Sequence, residues 1–204
     1  MRKDKNAYLT YEKVKKLISI IEFKDVIDLG CGDTNLLSEI KKIKSLQKYK
    51  INFVGAGYEV LKKDININVV DQLDFNKINW FESVKQKFDL ILILDVIEHL
   101  ENPFLFLQQV IKICQKKTKI LISVPNIHSY RSRIKFLLTG RPSAFFNKQF
   151  RSSSKRNFDD HIWLPAIDLI QYYLRCNNLT LKKIHHIYGN SIFTSHTLLL
   201  EIEF

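Results

Sequence analysis

Apolar residues recur along this chain at two spacings, one helical and one of short strands. Residues 8–22 place Leu9, Val14, Leu17, Ile18 and Ile21 on one helical face, the spacing of an amphipathic helix laid on a core. Residues 25–29 then read as a short apolar strand and 34–44 as a helix. Residues 51–56 and 67–70 read as two more strands, joined by a connection too short for a full helix. The apolar run 88–94 predicts a central strand buried on both faces. Residues 103–114 predict a helix with Pro103 in its first turn, and 119–124 another buried strand. Helical spacing returns over 167–176. Residues 179–186 and 192–204 close the chain as an antiparallel pair about a turn at Gly189-Asn190.

Strands alternating with helical segments imply βαβ units and a mostly parallel sheet. The alternation breaks after Pro125. Residues 126–160 hold an apolar-basic segment over 130–138, a Gly140-Arg141-Pro142 turn and a Ser/Lys/Arg-rich stretch over 150–156. They read as an insertion at the sheet edge, mobile around Ser152-Ser153-Ser154. Residues 1–204 are expected to form a single domain, with an N-terminal helix within 1–23.

Composition narrows the class without naming a partner. Hydrophobic content of 46% with 26% charged residues is ordinary for a soluble globular protein. Lys+Arg 32 against Asp+Glu 21 gives +11, which permits an anionic partner such as RNA or a membrane surface. The lysines are scattered rather than gathered, so the charge is permissive only. Cys31, Cys114 and Cys176 are odd in number and lack metal-type spacing, which suits a reduced, cytoplasmic protein. The polar start MRKDKNAYLT shows no signal-peptide pattern, and no apolar run is long enough to span a bilayer.

The candidate chemistry begins at Val26-Ile27-Asp28-Leu29-Gly30-Cys31-Gly32-Asp33. Two glycines let the backbone turn sharply and approach a ligand, since neither has a Cβ. Such a turn at the carboxyl end of a first parallel strand is where an open α/β sheet binds a nucleotide-like ligand. A plain strand-to-helix turn is the competing reading. Dinucleotide dehydrogenases are disfavoured, because the third glycine of their fingerprint falls at Asn35.

The order V-I-D-L-G-C-G-D, an acidic D-F-N, F-D-L-I-L-I-L-D-V-I-E-H-L-E-N-P and I-L-I-S-V-P-N closely resembles the class I S-adenosylmethionine-dependent methyltransferases. The resemblance runs over about residues 24–200. It implies a three-layer α/β/α sandwich, a Rossmann-like, seven-stranded, mostly parallel sheet with one antiparallel strand, and an insertion after the fifth strand. It also implies S-adenosylmethionine as cofactor. Asp28, Gly30, Cys31 and Gly32 match the loop that cradles the methionine end, with the family's third glycine replaced by Thr34. The acid that accepts from the ribose hydroxyls is assigned to Glu59, because the commonest alignment puts Gly57 there. Asp74 and Phe75 match the pair flanking the adenine, and Asp95 lies where the family faces the sulfonium and the acceptor.

Three polar groups follow one apolar strand in Asp95-Val96-Ile97-Glu98-His99, and Asp159-Asp160-His161 comes far downstream. Buried polar groups are costly unless satisfied. Small-RNA 3′-terminal 2′-O-methyltransferases and ubiquinone-pathway O-methyltransferases carry a similar acid-x-x-Glu-His run completed by a distant His. There the set holds a divalent metal beside the hydroxyl to be methylated. The resemblance thus makes Glu98, His99 and His161 candidate ligands for Mg, Mn or Zn. The alternative has Glu98-His99 capping the next helix and His161 acting as general base. His161 and Asp95 are the expected catalytic pair.

His128, His185, His186 and His196 read as structural or peripheral. Tyr130, Arg131, Arg133, Phe145, Phe146 and Phe150 form a basic-aromatic group suited to stacking on a base or sugar, or to serving as a lid. The expected acceptor is a hydroxylated glycan precursor or another small molecule. An RNA 3′ end is the second choice, and a non-catalytic, cofactor-binding partner protein the third.

Overall fold

Strands β1 (Asp25–Leu29) and β4 (Phe88–Leu94) lie side by side near the middle of one seven-stranded sheet. The computed structural model describes residues 5–43, 45–61, 64–141 and 161–204. Phe145, Phe146, the 150–156 stretch and Asp159-Asp160 therefore lie outside the described residues. β2 (Asn52–Ala56) and β3 (Asn68–Val70) extend the sheet on one side. β5 (Cys114–Pro125), β7 (Thr197–Glu203) and β6 (Thr180–Ile187) extend it on the other, giving the order β3-β2-β1-β4-β5-β7-β6. Only β7 is reversed, running antiparallel to both β5 and β6. This is the expected mostly parallel sheet with one antiparallel strand.

The pleat of β4 divides the core. Ile91 and Ile93 pack with residues of α3 (Pro103–Val110) and α5 (Ile167–Cys176). Leu90, Leu92 and Leu94 pack with residues of α1 (Lys5–Ile18) and α2 (Asn35–Lys41) on the other face. A strand buried on both sides must be apolar at every position, so the run 88–94 carries little polar alternation. Each such Leu or Ile contributes about 1.5–3 kcal/mol by burial. The result is the three-layer sandwich.

The first helix ends at Ile18, short of the expected 22, and the second at Lys41, short of 44; two further departures have a visible cause. The helix predicted over 103–114 stops at Val110, a 3₁₀ turn covers Ile111–Ile113, and Cys114 already belongs to β5. The early start of β5 rests on Thr118, whose buried hydroxyl donates to the Phe88 carbonyl at 2.6 Å and accepts from Gln115 N at 2.8 Å. With Lys117 in the left-handed region, that turn shifts the β4–β5 register between Phe88 and Leu90. At the other end, the strand predicted from 192 begins only at Thr197. The Asn126 side-chain amide donates to the carbonyls of Ile192 and Ser195, which holds that stretch in a turn.

Parallel pairing sets the carboxyl ends of β1, β2, β4 and β5 along one edge. The residues following those strands make the candidate site.

Candidate active site

Gly30 directly follows β1 with φ +86, and a Cβ there would lie 2.4 Å from Val96 Cγ2. The turn therefore needs glycine on two counts, conformation and space. Gly30 N and Cys31 N donate to the Ala56 carbonyl at 2.7 and 3.2 Å, which pins the turn to the end of β2. Cys31 is buried, its Sγ lying against Gly55, where a Cβ would come within 2.8 Å. Burial pushes the Cys31 thiol up to about 12, so it is neutral. Gly32 is exposed at φ +55 with open space about its α-carbon. Thr34, at the family's third glycine position, keeps the left-handed conformation at φ 55 and is fully buried. Asp28 lies buried beneath the turn, where desolvation first and the nearby Asp33 second raise its carboxyl to about 7.

A cleft of about 210 Å³ opens beside this turn, lined by Gly30, Gly57, Tyr58, Leu73, Asp74, Phe75, Asn76, Asp95, Val96, His99 and Leu100. It joins four of the expected cofactor positions: Gly30, Asp74, Phe75 and Asp95. Glu59 is exposed and is not among the lining residues, whereas Gly57 and Tyr58 of the same bend are. Asp74 Oδ1 accepts from Asn76 N at 3.0 Å, and Asn76 Oδ1 accepts from Glu101 N at 2.9 Å. This ties the acidic turn to the loop after β4. Phe75 meets Trp80 and Phe106 edge-on, with centroids 5.1 and 5.4 Å apart, so its ring is held by the core.

Beyond Asp95 the chain makes a 3₁₀ turn, Ile97–His99, that carries Glu98 inward and leaves His99 at the cleft. Glu98 is 1% exposed, and its Oε2 has no hydrogen-bond partner among the described residues. Burial first, then the charge of Asp95, pushes its carboxyl up to about 8. The Glu98 carbonyl accepts from Ile162 N at 2.9 Å and from Trp163 N at 3.2 Å, so the segment after the insertion is clipped to the end of β4. That clip delivers His161, whose ring stands edge-on to His99 with centroids 4.7 Å apart. One ligand atom each from Glu98, His99 and His161 lies within 4.8 Å of the others. Ligands at about 2.0–2.2 Å from one ion span at most about 4.4 Å, so a small contraction would let this set share a cation.

The methyltransferase-domain family model matches residues 3–182. The chain belongs to that family. Its fold is that of the class I S-adenosylmethionine-dependent methyltransferases. Among curated proteins, the ubiquinone biosynthesis O-methyltransferase of Rickettsia bellii is 28% identical over 119 residues, covering 56% of this chain and 48% of the relative. The mitochondrial ubiquinone biosynthesis O-methyltransferase of Dictyostelium discoideum is 30% identical over 122 residues, covering 52% of this chain and 36% of the relative. The chain thus spans about half the length or less of these relatives. Among solved structures, the methyltransferase domain of bacterial CtHen1-CN superposes with a TM-score of 0.63 at 19% identity, covering 98% of this chain and 100% of that one. That likeness concerns the fold.

Three contacts around the methyltransferase site escape sequence patterning. Tyr11 of α1 is shielded largely by burial, and Asp28, Asp95 and Asp33 add their charge to raise its hydroxyl well above the usual range. The N-terminal helix therefore brings Tyr11 near the carboxylates of the Gly30 turn, and the apolar stripe of residues 8–22 does not mark it. Ser123 of β5, fully buried, accepts from Asp95 N at 2.8 Å and donates to Asp95 Oδ1 at 2.6 Å. This holds Asp95 at φ 54. His128 Nε2 accepts from Ile167 N at 3.2 Å and so caps α5. Ile127, Ser132, Arg133, Phe136, Leu137 and Leu164 line an apolar groove of about 590 Å³, Leu164 following closely on the segment that carries His161. His185 pairs with Glu201 at 3.0 Å and His186 with Ser195 at 3.3 Å, both between or beside β6 and β7.

Proposed function

We propose that this methyltransferase transfers the methyl group of S-adenosylmethionine to a hydroxyl oxygen, with Glu98, His99 and His161 holding a divalent cation beside that oxygen. The observation that carries the reading is the buried Glu98 carboxyl, whose Oε2 has no hydrogen-bond partner among the described residues and one of whose oxygens lies within 4.8 Å of ring nitrogens of His99 and His161. A buried carboxyl oxygen without a hydrogen bond is costly, and a cation taking the place of the carboxyl proton would remove that cost. Imidazole and carboxylate together suit Mg, Mn or Zn. The names of the relatives, O-methyltransferases, support oxygen as the nucleophile and a hydroxylated small molecule as the acceptor class.

S-adenosylmethionine supplies an electrophilic methyl on sulfur: the O–C bond forms as the S–C bond breaks. The chain's part is to fix the approach of the acceptor. Gly30 and Gly32 would admit the methionine end, Asp74 the adenine amino group and Phe75 the adenine face. Asp95, locked by Ser123, would face the sulfonium and the incoming hydroxyl. A divalent cation, when bound, lowers the pKa of a coordinated hydroxyl by several units. Without it, His161 is the side chain placed to take the hydroxyl proton. The apolar groove beside Leu164 would seat the body of the acceptor.

The test is calorimetric titration of Mg²⁺, Mn²⁺ and Zn²⁺ into the full chain, with methyl transfer from tritiated cofactor to phenolic and sugar hydroxyls run alongside. Saturable binding of one ion, lost in Glu98→Gln and His161→Ala, together with methyl transfer abolished by chelator, is the expected result. Methyl transfer indifferent to chelator and to Glu98→Gln would sink the metal reading. The oxygen reading fails if the product carries the label on nitrogen, sulfur or carbon.

A further inference from the structure

Helix α4 (Tyr130–Thr139) leans on the domain along one side only. Ser132 is 2% exposed, Tyr130 N donates to the Phe193 carbonyl at 2.9 Å, and Arg133 lies over the Phe193 ring at 5.3 Å. Its outer side is apolar in an uncommon way. Tyr130 is 45% exposed, Ile134 51%, Leu137 84% and Leu138 77%. At 100° per residue these four form one stripe. Arg131 and Lys135, both exposed, flank it on one border and Arg133 on the other. Arg131 Nε donates to the Tyr130 hydroxyl at 3.0 Å, so a guanidinium and a phenol share the edge of the stripe.

We infer that the outer face of α4 docks the methyltransferase on an anionic lipid surface. A helix of ten residues is about 15 Å long. No helix among the described residues is long and apolar enough to cross a membrane, so this one lies in the interface plane. Its leucines and isoleucine enter the acyl boundary while the flanking cations meet lipid phosphates. Long basic side chains reach back to the headgroups and leave the apolar stripe buried. The chain's net charge of +11 favours approach to a negative surface without selecting a face, and the cations that flank the stripe select this one. The stripe also borders the apolar groove, since Leu137 belongs to both. An acceptor with a hydrophobic portion would thus pass from the lipid into that groove.

The reading goes beyond the chemistry proposed above and fails separately from it. The full chain is floated with vesicles of phosphatidylcholine, with and without phosphatidylglycerol, at low and high salt. Binding only to the anionic vesicles, weakening with salt, is expected. Arg131→Gln and Lys135→Gln each weaken it about fivefold. The double variant Ile134→Glu, Leu138→Glu weakens it at least about tenfold, with an unchanged thermal midpoint and unchanged S-adenosylmethionine affinity. Equal binding to neutral and anionic vesicles, or none, overturns the inference. A wild-type dimer that the double variant dissociates would assign the stripe to a second copy and overturn it too. So would tight, salt-sensitive binding of an RNA oligomer that competes with the vesicles and ignores the double variant. Methyl transfer to a soluble acceptor without vesicles is unaffected by either result.

Discussion

Glu98 is a carboxylic acid where the local apolar pattern would accept leucine, and its titration follows from that position. Burial and Asp95 raise it from 4.5 to about 8. The folded protein therefore keeps a proton that the unfolded chain gives up, and stability falls as pH rises through that window. Asp28, raised from 3.8 to about 7, acts in the same direction and is spent by pH 7. The slope between pH 7 and 8 is then mainly that of Glu98. Thermal midpoints of the metal-free protein should decline across it, and Glu98→Gln should flatten the decline. A slope unchanged in Glu98→Gln would mean that the carboxyl is solvated. Gly30 is constrained differently, by its conformation at φ +86 and by Val96. Gly30→Ala should cost about 2–5 kcal/mol and abolish cofactor binding, as read by chemical denaturation and calorimetry.

At the scale of elements, most spacing was legible. β1, β4 and α5 lie where the apolar runs put them, because period and burial are encoded residue by residue. The end of α3 was not. The helix expected over 103–114 ends at Val110, and the Thr118 hydroxyl on the Phe88 carbonyl holds the stretch from Cys114 as the bulged start of β5. The start of α5 depends on His128, from the loop after β5, as the acceptor for Ile167 N. Burial and then Arg133 lower the His128 pKa, with Asp168 opposing. This cap is intact above the ordinary histidine value of 6.5 and is lost as pH falls through the lower folded value, since a protonated ring cannot accept. His128→Ala should cost about 1 kcal/mol and remove that acid-side loss in urea titrations. An acid limb equal in both proteins would contradict the cap.

For the whole molecule, the binding cleft, the Glu98/His99/His161 cluster and the α4 stripe all lie along the edge where β1, β4 and β5 end. The turn that matches the family's cofactor loop was legible as a strand-to-helix turn because its constraint is local: two glycines and an aspartate within five residues. The ribose position expected at Glu59 falls on the bend after β2, where Glu59 is exposed and Gly57 and Tyr58 line the cleft. Should Tyr58 line the ribose there, Tyr58→Ala should weaken S-adenosylmethionine at least about fivefold while Glu59→Ala leaves it within about twofold, as one lost hydrogen bond or stacking contact predicts. The reverse order, measured by calorimetry, would return the role to Glu59.

The amino-acid pattern alone determined the order of strands and helices, the cofactor turn and the Asp95–His99 run at the end of β4. These depend on residues near in sequence, where periodicity and steric limits act directly. Only the tertiary structure decided that the Glu98 carbonyl clips Ile162 and Trp163, so that His161 meets His99. It also decided that Ser123 locks Asp95, and that the apolar side chains of α4 face outward instead of into the core. Those outcomes are contacts between distant segments. Their free energy depends on which surfaces the sheet leaves open, and no local rhythm encodes that.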